Sequence, residues 1–188
     1  MTGVPSTAPG VRPRVVLVGP MGAGKTTVAT LLATAWGTPV RDTDADVEEA
    51  EGSSVADIFV EAGEARFRAL EREAVAAALA THEGVLALGG GAVLDPTTRA
   101  ALRGHTVVFL RVGLGDAVQR VGLGAARPLL LGNVRGRLKL LLDERTPVYE
   151  AVATWSVDTD GRTPEDVAEA VRALVEQADG ERRQEEGP

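Results

Sequence analysis

Val15-Val16-Leu17-Val18-Gly19-Pro20-Met21-Gly22-Ala23-Gly24-Lys25-Thr26-Thr27 is an apolar run that passes into a glycine-rich turn and then into the start of a helical pattern. Within it Gly19, Gly24, Lys25 and Thr26 satisfy G-x-x-x-x-G-K-[ST], and a strand before and a helix after form the context this pattern needs to bind phosphate. Gly22 and Gly24 let backbone N–H groups wrap an anion, and the helix N-terminus adds positive potential. Lys25 is placed to span terminal phosphates and Thr26 to ligate Mg²⁺. The plain alternative is a glycine-rich turn with a solvated lysine; the rarity of a chance match favours a nucleoside triphosphate.

Outward from this stretch the chain alternates strand and helix. β-prone runs at 14–18, 38–41, 85–88, 106–110 and 154–157 show little apolar–polar alternation, as parallel strands covered on both faces do. The fold class is therefore α/β. Gly37 stops a helix over about 25–36. Ser54 and Asp57 form a capping box for a short helix ending before Gly63, followed by a long Ala- and Glu-rich helix over 64–81. Asp95-Pro96 and Thr163-Pro164 are N-cap and N1 pairs. The first opens a helix closing at Gly104, the second a final helix reaching about 178. Residues 1–13 read as a flexible lead-in, 14–178 as a single domain, and 179–188 as a charged, frayed tail. Between two helical patterns, 122–136 mixes Gly, Arg and Pro and reads as a mobile lid loop.

Composition narrows the function classes. With 188 residues there is room for one domain plus tails. The 27 Asp and Glu outnumber the 20 Lys and Arg, and a net charge of −7 argues against broad binding to nucleic acid or anionic membrane. The absence of cysteine excludes disulfides, thiolate catalysis, Fe–S clusters and cysteine zinc sites, and accords with a reducing compartment. No apolar run nears the roughly 18 residues of a membrane span, and the lead-in has no apolar signal core. A cytoplasmic protein without nucleic-acid, membrane or obligate protein partners is expected.

Further motifs carry chemistry. Asp42 and Asp44 follow the second strand, and i, i+2 spacing in extended chain points both carboxylates to one side. One carboxylate suits water-mediated Mg²⁺ positioning and the other proton acceptance from an attacking hydroxyl; helix capping by Asp44 or Asp46 is the competing reading. Gly89, Gly90 and Gly91 follow the third strand and expose backbone amides, unless they form a plain turn. In an open parallel sheet ligands bind at the carboxyl ends of strands, where all three motifs sit. Arg68, with Glu71 at i+3 to hold it, and Arg145 suit bidentate capture of a carboxylate, against the alternative of solvated helix arginines. Arg127, in the loose loop before Pro128, can reach a transferring phosphoryl group. His82 and His105 read as surface or capping residues, and Trp36 and Trp155 as packing.

In order along the chain, GPMGAGKTT (Gly19 to Thr27), DTD (Asp42 to Asp44), ADIF and GEARFR (Ala56 to Arg68), GGGAV (Gly89 to Val93), RPLL (Arg127 to Leu130) and ERTPVY (Glu144 to Tyr149) resemble shikimate kinase, in the nucleoside monophosphate kinase-like group of P-loop folds. The resemblance covers about 14–175. It implies a three-layer α/β/α fold with a five-stranded parallel sheet in order 2-3-1-4-5, a lid near 122–136, and a substrate-binding region near 42–82. It also implies ATP-dependent phosphorylation of the 3-hydroxyl of shikimate, on the way to chorismate and the aromatic amino acids, using Mg²⁺. The sequence does not fix the oligomeric state, and a monomer is expected. Gly22, Ala23, Gly24, Lys25, Thr26 and Thr27 then look like the phosphate cradle, with Thr26 and, through water, Asp42 as metal ligands. Asp44 resembles the residue that grips shikimate hydroxyls and serves as base. Arg68 and Arg145 resemble the carboxylate clamp, Gly90 and Gly91 the backbone contacts to ring hydroxyls, and Arg127 the lid arginine. Arg120 and Arg162, with Pro164 nearby, match positions that line the adenine pocket. A gluconate kinase shares the fold and phosphate loop, but the DTD, GGGAV and RPLL set points away from it. A guanine-nucleotide switch needs N-K-x-D, which Leu138-Lys139 does not supply. A catalytically silent nucleotide-binding module should lack a base or metal ligand, and both Asp44 and Thr26 are present.

Overall fold

The structure is a computed structural model, described here for residues 11–122 and 133–185. Strands β1 (Val15–Val18), β2 (Val40–Asp42), β3 (Val85–Ala87), β4 (Val107–Arg111) and β5 (Trp155–Asp158) form one parallel sheet in the order β2-β3-β1-β4-β5. The helices are α1 (Lys25–Trp36), α2 (Thr43–Glu51), α3 (Val55–Glu61), α4 (Gly63–Thr81), α5 (Pro96–Ala101), α6 (Leu114–Gly122), α7 (Val134–Val152) and α8 (Pro164–Glu185), with a 3₁₀ turn at Ala92–Leu94.

Successive residues of β1 explain why the strands read as unbroken apolar runs. Val15 and Leu17 enter one core with Val28 and Leu32 of α1 and Val171 and Val175 of α8. Val16 and Val18 enter the opposite core with Val75 and Leu79 of α4 and Tyr149 of α7. Both faces are covered, so neither needs polar residues. A third, small core of Val47, Ile58, Phe67 and Leu70 joins α2, α3 and α4, within the region 42–82 expected to bind substrate.

The capping signals act as expected. Gly37 closes α1 in the left-handed region at φ 62°. Ser54 Oγ accepts the Asp57 N–H at 3.1 Å and donates to the Asp57 carboxylate. Asp95 accepts from Thr97 and Thr98, and Thr163 and Asp166 cap α8 reciprocally.

Three expectations are corrected. α2 has no counterpart among the expected helices, because its acidic sequence carries only Thr43 and Val47 inward and so lacks apolar periodicity. The final helix does not fray at 179 but runs through Gly180 to Glu185, anchored where Asp179 accepts from Arg14 (3.3 Å) and Arg182 donates to Thr106 Oγ1 (3.1 Å). The loop expected over 122–136 is trimmed at both ends. Gly122 closes α6, and α7 begins at Val134 after Asn133, whose side chain accepts the Gly136 N–H at 2.9 Å. Residues 123–132 lie outside the described residues.

Gly84 brings β3 against the entry to β2: a Cβ there would overlap the Pro39 carbonyl oxygen, a backbone atom that cannot swing away. Gly84→Ala is therefore expected to cost about 1–3 kcal/mol by overpacking. Its melting temperature should fall by about 2–12 °C, and an unchanged melt would show that the start of β2 yields freely.

Candidate active site

Adjacent strands β2, β3 and β1 bring the aspartates, the glycine triplet and the phosphate loop to one edge of the sheet. In the loop, Gly22 (φ 81°) and Gly24 (φ 86°) adopt the left-handed backbone that the turn demands. α1 has no side-chain cap at its N-terminus, which leaves its first amides to an external anion. Lys25 Nζ lies back across the loop, donating to Gly19 O at 2.8 Å and Pro20 O at 3.1 Å.

Asp42 and Asp44 do not share one side of an extended chain. Helix α2 starts between them: Asp42 is its N-cap, and its Oδ1 accepts the Asp44 N–H at 3.0 Å. The other Asp42 oxygen accepts from Thr26 Oγ1 at 2.7 Å. Capping thus falls to Asp42 itself and not to Asp44 or Asp46. Among the described residues no cluster of three or more His, Asp or Glu side chains is arranged to cage a metal. The Thr26 hydroxyl beside the Asp42 carboxylate is an all-oxygen pair of the kind that suits Mg²⁺, an ion that retains waters and takes one or two protein oxygens plus phosphate.

Asp44 turns into a cavity of about 130 Å³ that it shares with Met21, Lys25, Arg68, Glu71 and Arg145. Its Oδ1 is buried without a hydrogen-bond partner, as are Glu71 Oε1 and Arg145 Nε. Burial pushes the Asp44 carboxyl up to about 6, with the negative charges of Asp42 and Glu71 adding to the effect and Lys25 opposing it. Burial also raises Glu71, against the pull of Arg68. Arg68 Nη1 donates to Glu71 Oε2 at 2.6 Å and its Nη2 to Glu64 Oε1 at 3.2 Å, so the i+3 partner does hold the guanidinium. Phe59 and Phe67 pack against each other at 4.6 Å between ring centroids and lie beside the Arg68 guanidinium, forming the apolar wall. Buried acceptors and an unpartnered guanidinium donor around a space this small suit a compact ligand bearing hydroxyls and a carboxylate.

The glycine triplet works chiefly by what it leaves out. The Gly89 N–H is taken by buried Thr43 Oγ1 at 3.0 Å, and a Cβ on Gly89 would collide with the Asp44 and Glu71 carboxylates. A Cβ on Gly91 would collide with the Arg68 guanidinium. Gly90 O is held from the core side by the Tyr149 hydroxyl and, at 3.5 Å, by Arg145 Nη1. Burial pushes Tyr149 up to about 12, which keeps it a donor.

A second cavity of about 650 Å³ runs from the phosphate loop to Arg120, Thr159, Arg162 and Pro164. It shares Met21, Lys25 and Asp44 with the smaller one. Arg162 donates to Asp158 O and Asp166 O at 3.2 and 2.7 Å, so its terminal nitrogens stabilise the loop that carries it. Arg127 lies outside the described residues. Of the histidines, His82 caps α4 from a buried position, its Nε2 at 3.0 Å from Val85 O. Trp36 packs under Arg14 and donates to Glu176 at 3.0 Å.

Sequence reasoning named most of these side chains but missed Thr43 and Tyr149, and took Glu71 only as a holder of Arg68. Thr43 lies inside the DTD motif and Tyr149 ends ERTPVY, so motif membership was their available signal. Nothing in spacing pointed Tyr149 at Gly90.

Comparison with known proteins identifies relatives over most of the chain. The family model for shikimate kinase matches residues 21–176. The shikimate kinase of Salinispora arenicola is 64% identical over 163 residues, 87% of this chain and 98% of that protein. That of Thermobifida fusca is 59% identical over 160 residues, covering 85% and 93%. A solved shikimate kinase from Acinetobacter baumannii, in complex with shikimate, superposes with a TM-score of 0.85 at 34% identity, over 89% of this chain and 94% of the other. The chain is thus matched by sequence and by fold over most of its length, and it belongs to the shikimate kinase family.

Proposed function

We propose that the protein transfers the γ-phosphoryl group of ATP to the 3-hydroxyl of shikimate, giving ADP and shikimate 3-phosphate. The observation that carries this reading is the junction of the two cavities at Met21, Lys25 and Asp44. A nucleotide-sized space and a space for a small acid meet where one cation and one carboxylate stand together. ATP lies with its phosphates on the amides of residues 22–27, and Lys25 neutralises charge as the phosphoryl group moves. Arg68 and Arg145 hold the shikimate carboxylate, Gly90 and Gly91 meet ring hydroxyls, and Asp44 takes the proton of the attacking 3-hydroxyl. The acceptor oxygen bonds to phosphorus as the bond to the ADP oxygen breaks. Mg²⁺, held by Thr26 and through water by Asp42, would supply charge neutralisation between the phosphates. Arg127 keeps its expected role on the phosphoryl group, and Arg120 and Arg162 line the base end. Both cavities are built by one chain, which supports a monomer acting on two small molecules. No helix among the described residues is long and apolar enough to cross a membrane.

The test is ADP formation by the purified protein with MgATP and a panel of hydroxy acids including shikimate and gluconate. Shikimate-dependent turnover is expected, and turnover with gluconate alone would replace this acceptor. With Asp44 as base, kcat/KM for shikimate should fall below an apparent pKa of about 6, about tenfold for each further pH unit. A profile flat from pH 5 to 8 would remove Asp44 from that role.

A further inference from the structure

The base end of the larger cavity contains an arginine whose hydrogen bonds are all directed inward. One terminal nitrogen of Arg120 donates to Gly22 O of the phosphate loop (3.2 Å) and to Thr159 Oγ1 (3.0 Å). The other donates to Thr159 O (2.8 Å) and to Asp116 Oδ2 (2.9 Å), one turn back on α6. That same Asp116 oxygen accepts the Gly161 N–H at 3.0 Å. In return, the Gly113 N–H donates to Asp160 Oδ1 at 2.8 Å, and a Cβ on Gly113 would collide with the other Asp160 oxygen. The first turn of α6 therefore lends an aspartate to the loop after β5, and that loop lends one to the residue just before α6. α6 also backs onto the phosphate loop, where a Cβ on Gly22 would meet Val121 Cγ2 at 3.2 Å and Ala117 O at 3.3 Å.

With both terminal nitrogens engaged, what Arg120 has left to offer a ligand is its Nε–H and its flat face, the surface that stacks on a planar base. Asp116 supplies the one anionic contact among the four, and the same oxygen also accepts the Gly161 N–H next to Arg162. We propose that Asp116 is a positioning residue of the nucleotide site, acting through Arg120 to hold that face in place. This rests on the reading of the larger cavity as the ATP site. Simple electrostatics gives the opposite sign, since removing a negative charge near an anionic ligand should tighten binding.

The experiment is titration calorimetry of the full-length protein with ADP and Mg²⁺ for wild type, D116N, D116A, R120A and the D116A/R120A double variant, together with steady-state KM values for ATP and shikimate. Loss of a charge-assisted contact should weaken ADP binding by about tenfold in D116N and D116A. The double variant should be within about twofold of R120A alone, because the two residues act as one unit. The shikimate KM should stay within about twofold, a split that a general loss of structure would not produce. ADP binding that is unchanged or tighter in D116N overturns the proposal, and so does a double variant whose loss is the product of the two single losses. D116N retains side-chain shape and an acceptor for Gly161, so it decides the matter if D116A fails to fold. Wild-type protein that binds no ADP would overturn the nucleotide reading itself and this inference with it.

Discussion

Asp44→Asn is expected to lower kcat by about 10²–10⁴-fold, the range for loss of a general base, while leaving ADP affinity within about threefold, since the phosphate cradle is untouched. The same variant should be more stable than wild type at neutral pH. The Asp44 carboxyl titrates near 3.8 in the unfolded chain and near 6 in the fold. Between these values the folded protein keeps a proton that the unfolded chain has released. Stability from this group is therefore full below pH 4, falls as the pH rises, and has been lost above about 6. A shift of this size corresponds to a loss on the order of 3 kcal/mol. The asparagine side chain carries no charge to bury, so the variant's melting temperature should exceed that of wild type by about 6–12 °C at pH 8 and should show no such gain at pH 4. A dead variant that melts at the wild-type temperature at both pH values would mean that Asp44 is not held under electrostatic strain. A stable and fully active one would remove it from the chemistry.

Arg68→Ala should raise the shikimate KM by about 100-fold, with the ATP KM within about threefold. Truncating one partner of a buried, hydrogen-bonded charge pair costs about 2–5 kcal/mol. Here the loss is twofold: the incoming carboxylate loses a guanidinium fork, and Glu71, 3% exposed, is left buried without its ion-pair partner, with only the more distant pull of Arg145. Arg68→Lys should recover only part of this, because a point charge cannot meet Glu71 and Glu64 together. Steady-state kinetics with each substrate varied in turn reads both effects. A shikimate KM unchanged in Arg68→Ala would reduce Arg68 to a counter-ion for Glu71.

How far the site was legible in the sequence depended on distance along the chain. Gly19, Gly24, Lys25 and Thr26 lie within one turn, so their spacing alone dictates an anion cradle. The inner strands β1, β3 and β4 were legible because two-sided burial leaves unbroken apolar runs, whereas the edge strands β2 and β5 stay partly exposed. Gly37, Ser54, Asp95 and Thr163 punctuate helices through local hydrogen bonds. α2 was not legible. A helix packed by only two inward residues has almost no periodic signal, and its presence turned the DTD aspartates from an extended pair into a cap and a buried acid.

By itself the sequence determined the α/β class, the phosphate loop and the caps at Gly37, Ser54, Asp95 and Thr163, since each follows from contacts within a few residues. Its family resemblance supplied the strand order. Only the tertiary structure decided which carboxylate is buried, that Gly89 and Gly91 are vacant so that Asp44, Glu71 and Arg68 fit, that Tyr149 pins Gly90, and that Asp116 ties Arg120 to the loop after β5. Desolvation and hydrogen bonding depend on partners as far apart as Gly22 and Arg120 or Gly90 and Tyr149, and no local pattern encodes which distant residue the fold will bring alongside.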